Sequence, residues 1–84
     1  MKILVTGAGG FIGSHIVEHL SKKFKIVAFL RYNSQGDIQN LRFLNKENFK
    51  NIEIVFGDLR AREQIEKIIK KVNLVINLAA NISV

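Results

Sequence analysis

The sequence predicts an α/β fold: a parallel sheet of about four strands, in the order 3-2-1-4, with helices against it. Three observations predict it. Short apolar runs at Lys2–Thr6, Lys25–Leu30, Ile52–Phe56 and Asn73–Leu78 are separated by segments with helical spacing, so strands and helices alternate. The runs lack the polar–apolar alternation of half-exposed strands, as expected where helices cover both faces of a sheet. A glycine cluster, Gly7-Ala8-Gly9-Gly10, ends the first run abruptly and opens the first helical segment. The order 3-2-1-4 follows from right-handed crossovers between parallel neighbours and leaves strand four at an edge.

Each element has its own justification. After the glycine cluster, Ile12, Gly13, Ile16, Val17, Leu20 and Phe24 fall on one arc at about 100° per residue, which makes them the apolar face of a first helix. Lys25–Leu30 is strand two, and the polar stretch from Arg31 to Asp37, which contains Gly36, reads as a loop. Asp37 is placed to cap a short helix carrying Ile38, Leu41 and Leu44, and Asn48–Asn51 reads as a polar break before strand three. Ile65, Ile68, Ile69 and Val72 have the i, i+3, i+4, i+7 spacing of a surface helix, with Glu63/Lys67 and Glu66/Lys70 as i, i+4 pairs on its exposed side.

Composition narrows the function classes. A chain of 84 residues has room for one domain at most, and 48% hydrophobic residues is enough for a core. With no cysteine there is no disulfide framework, zinc–thiolate site or thiol nucleophile, which fits a reducing compartment, so the expected location is the cytoplasm. No apolar run is long enough for a membrane span or a signal peptide. Thirteen basic against seven acidic residues give a net charge of +6, which suits anionic partners. The basic residues are scattered and have few aromatic neighbours, so they read as a solvated surface rather than a nucleic-acid patch.

The motif that carries chemistry is Thr6-Gly7-Ala8-Gly9-Gly10-Phe11-Ile12-Gly13, at the junction of the first strand and the first helix. A dinucleotide pyrophosphate needs a backbone that turns sharply, comes close and points amides at the phosphates, where side chains would collide with it. In this reading Gly7 makes the turn, Gly10 lets the phosphates reach the helix N-terminus, and Gly13 lets the helix lie close to the sheet. The strand before and the helix after supply the context the motif requires.

Three motifs in order, Thr-Gly-x-x-Gly-x-x-Gly, then Gly57-Asp58-Leu59-Arg60 after strand three, then Leu78-Ala79-Ala80 after strand four, resemble the extended short-chain dehydrogenase/reductases, the NAD-dependent epimerase/dehydratase family. The resemblance spans the whole chain and implies that residues 1–84 are the N-terminal part of an NAD(P)-binding Rossmann domain. It implies that Asp58 hydrogen-bonds the adenine amino group, that Leu59 packs on the base, and that Ala79 and Ala80 line the ribose and phosphate track. The phrases Arg31-Tyr32-Asn33-Ser34 and Asn77-Leu78-Ala79-Ala80-Asn81-Ile82-Ser83-Val84 look most like the nucleotide-sugar 4,6-dehydratases of that family, so Asn33, Ser34 and Leu78 join the candidate cofactor contacts, together with Phe11 and Ile12.

Two departures from the family pattern matter. NAD-specific members usually end strand two with an acid that holds the adenosine ribose, whereas Arg31 stands here, and its planar fork suits a phosphate, favouring NADP over NAD. The family's chemistry also needs a tyrosine with a lysine four residues later, but the single tyrosine, Tyr32, is followed at that spacing by Gly36. The chain by itself is therefore expected to be inactive, with a nucleotide-sugar substrate only in a full-length form. A noncatalytic NADP-binding module or sensor is the alternative. His15-Ile16-Val17-Glu18-His19 has the spacing of an inverted zinc-protease helix, but it lies on the polar side of the first helix and lacks a third ligand, so no metal site is expected. The uncovered edge at strand four predicts self-association.

Overall fold

The computed structural model describes residues 1–78. Four parallel strands, β1 (Lys2–Thr6), β2 (Lys25–Arg31), β3 (Ile52–Gly57) and β4 (Leu74–Asn77), form one sheet in the order β3-β2-β1-β4, as the sequence predicts. Helices α1 (Phe11–Leu20), α2 (Lys46–Phe49) and α3 (Arg62–Ile69) and a short 3₁₀ helix (Gln39–Phe43) make the connections.

The central strands β1 and β2 supply most of the core. Ile3, Val5, Ile26, Ala28 and Leu30 face α1 and the 3₁₀ helix, and pack with Val17, Ala8 and Leu41 into one buried cluster. Leu4, Val27 and Phe29 point to the other face, where Val55, Ile65, Ile68 and Val72 cover them in part. Two-faced burial of neighbouring residues in a strand is why these runs show no alternation.

The structure departs from the sequence reading in detail. Strands β2 and β3 each extend one residue further, to Arg31 and Gly57, which are paired in register. In α1 the buried residues are Gly13, Ser14 and Val17, while Ile12 is 66% exposed. The buried stripe is thus rotated from the expected apolar arc, because small residues let the helix close onto the sheet and their hydroxyls are satisfied locally. Ser14 Oγ donates to Phe11 O at 3.0 Å, and Ser21 Oγ donates to Glu18 O at 3.0 Å.

The expected polar break at Asn48–Asn51 includes the end of α2. Asn48 is buried and donates through Nδ2 to Ser21 Oγ (3.0 Å) and Glu18 O (3.2 Å), and Asn51 Nδ2 donates to Ser21 O at 2.8 Å. These asparagines tie the chain to the C-terminal end of α1 rather than releasing it to solvent. Asp37 does not cap a helix: its Oδ1 accepts the Gln39 amide at 2.8 Å, but the element that follows is a 3₁₀ helix whose N-cap is Ile38, without a side-chain cap, and Gln39 stands at φ 55°. The charges of Glu63, Lys67, Glu66 and Lys70 form no ion pairs; those among the described residues are Lys2–Glu53, Lys50–Glu47 and Arg60–Asp58. No helix among the described residues is long and apolar enough to cross a membrane.

The unequal burial of the core and of the edge strand β4 sets unequal costs for truncation. Leu41→Ala, at a fully buried site, is expected to lower unfolding free energy by about 2–5 kcal/mol. Leu74→Ala, at a site 48% exposed, is expected to cost less than about 1 kcal/mol. Urea unfolding of the two variants checks the contrast.

Candidate cofactor site

The candidate residues gather at the carboxyl ends of the strands. Gly7 leaves β1 with φ 67°, in the left-handed region that favours glycine, and the chain reverses so that Gly10 N–H donates to Gly7 O at 3.2 Å. Gly10 is the N-cap of α1 and brings no side-chain cap, so the first-turn amides of Phe11, Ile12 and Gly13 have no partner within the helix. Their positive ends face outward from the strand–helix junction.

The glycines of this turn answer to different constraints. A Cβ on Gly13 would collide with the Gly7 carbonyl and come within 3.0 Å of Ala8 Cα, so Gly13 is required by the approach of α1 to the turn. A Cβ on Gly10 would meet only Gly7 O, at an ordinary 3.5 Å, and the Gly10 backbone is extended at φ −71°, ψ 172°. The fold therefore does not require glycine at position 10, and the space kept there opens toward the first-turn amides. A position without a side chain beside open helix amides is what the close approach of a dinucleotide pyrophosphate requires. Gly9, outside the sequence-based candidates, is also held by packing: a Cβ there would come within 2.6 Å of Leu30 Cδ2, and its carbonyl accepts the Asn40 amide at 3.1 Å. The only sequence signal for it was its place in the cluster.

The adenosine half of the candidate set lies at the ends of β2 and β3. Arg31 is exposed at the last position of β2, beside Gly57. Asp58 follows β3 directly, with Leu59 43% exposed in the turn that leads to α3. Hydrogen bonds from the Arg60 side chain and backbone, together with the Arg60 charge and a smaller effect of Arg31, hold the Asp58 carboxyl down at about 2. Its ionised form is favoured in the folded chain, so whatever stability this contributes is present above the ordinary carboxyl value of 3.8 and is lost as pH falls toward 2. Asn33 is turned into its own loop, with Nδ2 donating to Asp37 O at 3.1 Å and Oδ1 accepting the Asp37 amide at 2.7 Å, while Ser34 is exposed.

At the β1–β4 junction the sequence reading missed a clasp. Thr6 Oγ1 accepts the Leu78 amide at 3.1 Å and donates to Asn77 Oδ1 at 2.5 Å. Leu78 continues the ladder by donating to Thr6 O at 3.2 Å. The candidates Ala79 and Ala80 lie outside the described residues.

The His15–His19 spacing has a local explanation. His15 Nδ1–H donates to Phe11 O at 2.8 Å, and its ring lies 4.6 Å from that of Phe11. Among the described residues no group of three His, Cys, Asp or Glu side chains is arranged to hold a metal ion.

A glycine turn, an open helix N-terminus and an acid after the third strand, all at one sheet edge, invite comparison with known proteins. The model of the family described as GDP-mannose 4,6 dehydratase matches residues 4–84. The chain belongs to this family. It is 41% identical over 85 residues to dTDP-D-glucose 4,6-dehydratase of Dictyostelium discoideum, a match covering 94% of this chain and 19% of that protein. It is 43% identical over 84 residues to a putative UDP-glucose 4-epimerase of Methanocaldococcus jannaschii, covering 98% of this chain and 25% of that protein. Among solved structures, dTDP-glucose 4,6-dehydratase of Bacillus anthracis in complex with NAD superposes with a TM-score of 0.77 at 32% identity, covering 96% of this chain and 27% of that one. The sequence and fold are thus those of the N-terminal, Rossmann-like segment of an epimerase/dehydratase, and the chain spans a fifth to about a quarter of the curated relatives named here.

The two glycines give opposite expectations. Gly10→Ala should leave stability within about 0.5 kcal/mol of wild type while weakening dinucleotide binding. Gly13→Ala should destabilise the fold by about 1–3 kcal/mol or more. Thermal unfolding with and without dinucleotide separates the two.

Proposed function

We propose that this chain is the cofactor-binding N-terminal part of a nucleotide-sugar dehydratase- or epimerase-like oxidoreductase, with NADP favoured over NAD. The observation that carries the proposal is the cradle at Gly10, a position where the fold tolerates a side chain but the sequence has none, lying against the uncapped N-terminus of α1. Gly7, Gly10, Phe11, Ile12 and Gly13 hold the pyrophosphate through backbone amides. Asp58 accepts from the adenine amino group, Leu59 covers the base, and Arg31 meets the phosphate on the adenosine ribose. Asn33, Ser34, Leu78, Ala79 and Ala80 complete the track. A bound nicotinamide supplies the hydride acceptor, and the proton-transfer pair for the sugar substrate is not contributed by these 84 residues.

Two further readings accompany the proposal. The chain works in the cytoplasm, in keeping with its lack of cysteine. It also self-associates through β4, where Leu74 and Val75 are 48% and 42% exposed and one side of the strand has no neighbour among the described residues.

Titration calorimetry is expected to give heat with NADP and weaker heat with NAD, with no turnover. Arg31→Asp should shift the preference about tenfold toward NAD, whereas a folded sample silent to both dinucleotides would sink the proposal. Sedimentation should show association that strengthens with salt, because the +6 charge that opposes it is screened beyond about 10 Å at 0.1 M.

A further inference from the structure

Arg60 stands at the candidate cofactor edge, and none of the roles above uses it. Its side chain, 89% exposed, folds back onto Asp58: Nη2 lies 2.8 Å from Oδ2, Nε lies 3.1 Å from Oδ2 and 3.2 Å from Oδ1, and the Arg60 backbone amide donates to Oδ1 at 2.9 Å. A single exposed pair contributes little to holding a fold together, so stability is a weak explanation for this fork. What the arrangement changes is the charge available at the sheet edge. Arg31 pairs in register with Gly57, the residue before Asp58, so the free carboxylate would be the natural counter-ion of Arg31. With Arg60 chelating Asp58, the carboxylate is already matched and the Arg31 guanidinium stays available to a ligand.

We propose that Arg60 is a positioning residue that sets cofactor specificity, by occupying Asp58 so that Arg31 is left for a phosphomonoester on the ligand's adenosine ribose. The inference rests on the reading of this edge as a dinucleotide site. Its physical basis is a difference in charge: a phosphomonoester carries about −1.5 to −2 at neutral pH. An unmatched Asp58 would both repel it and compete for Arg31, whereas the ribose hydroxyl of NAD in the same place is neutral. Removing Arg60 therefore weakens one dinucleotide and spares the other. A purely structural role would weaken both alike.

The test measures Kd for NADP and for NAD at low ionic strength with wild type, Arg60→Gln and Arg60→Lys. Arg60→Gln is expected to weaken NADP binding about three- to tenfold with NAD little changed, a contrast that shrinks in high salt. Arg60→Lys, which keeps the charge, should recover most of the loss. A carboxyl NMR titration reads the contact without any ligand: Asp58 should titrate near 2 in wild type and move toward its ordinary 3.8 in Arg60→Gln. An unchanged NADP-to-NAD ratio in Arg60→Gln, or an unmoved Asp58 titration, would overturn the role of Arg60 while leaving the cofactor site intact. A folded wild type that binds neither dinucleotide would overturn both. A wild type that prefers NAD would overturn the reading of Arg31 and with it the role of Arg60, which acts through Arg31.

Discussion

The contact on which the rest of the structure depends is that of α1 with the Gly7–Ala8 backbone. Gly13 presents no Cβ to the Gly7 carbonyl, so the helix can start one turn away from the end of the central strand. Were the helix held further off, Val17 and the buried serines would lose their places, and the first-turn amides would no longer lie over the sheet edge. The same close approach therefore builds the core on one face and aims the helix N-terminus at the cradle. This is why Gly13 admits no side chain while Gly10, three residues earlier, has room for one.

The two faces of the sheet are not equivalent. The α1 face joins eight buried residues into one cluster, whereas only three on the α3 face are buried, and α3 itself has no buried residue. Arg60 lies in the turn from β3 into α3 on this thinner side, whereas the segment after Arg31 leads to the 3₁₀ helix on the other face. Arg31 and Arg60 are exposed and Asp58 is half exposed, so their interactions act mainly through charge. The glycine turn is fixed by backbone packing at Gly13, whereas the candidate residues at the ends of β2 and β3 are side chains at the surface.

How much of this was legible in the sequence depends on how local the cause is. Apolar runs separated by segments with helical spacing were enough for element order and sheet order, because burial on both faces leaves a direct mark on composition. Gly7 and Gly13 were legible because a strand-to-helix turn has a fixed spacing. Ile12 was misplaced because helical periodicity registers hydrophobicity, while the surface that met the sheet was selected by small size at Gly13 and Ser14. The polar segment containing Asn48 read as a break because its buried partners, Ser21 and Glu18, lie 27 and 30 residues earlier. The Arg60–Asp58 fork and the Thr6–Asn77 clasp were invisible for related reasons, one depending on the shape of a turn and the other on a pairing across the sheet.

That last pairing bears on how the chain is made. Central strand β1 precedes the other three strands in the chain, yet its second neighbour lies 71 residues downstream, joined at one end through Lys2 and Asn73 and at the other through Thr6 and Asn77. During synthesis β1 can pair with β2 early, but one side of it stays unpaired until β4 has emerged and the longest loop in the sheet can close. In the interval one side of β1 lacks its strand partner, and the Thr6–Asn77 clasp can form only once Asn77 has emerged.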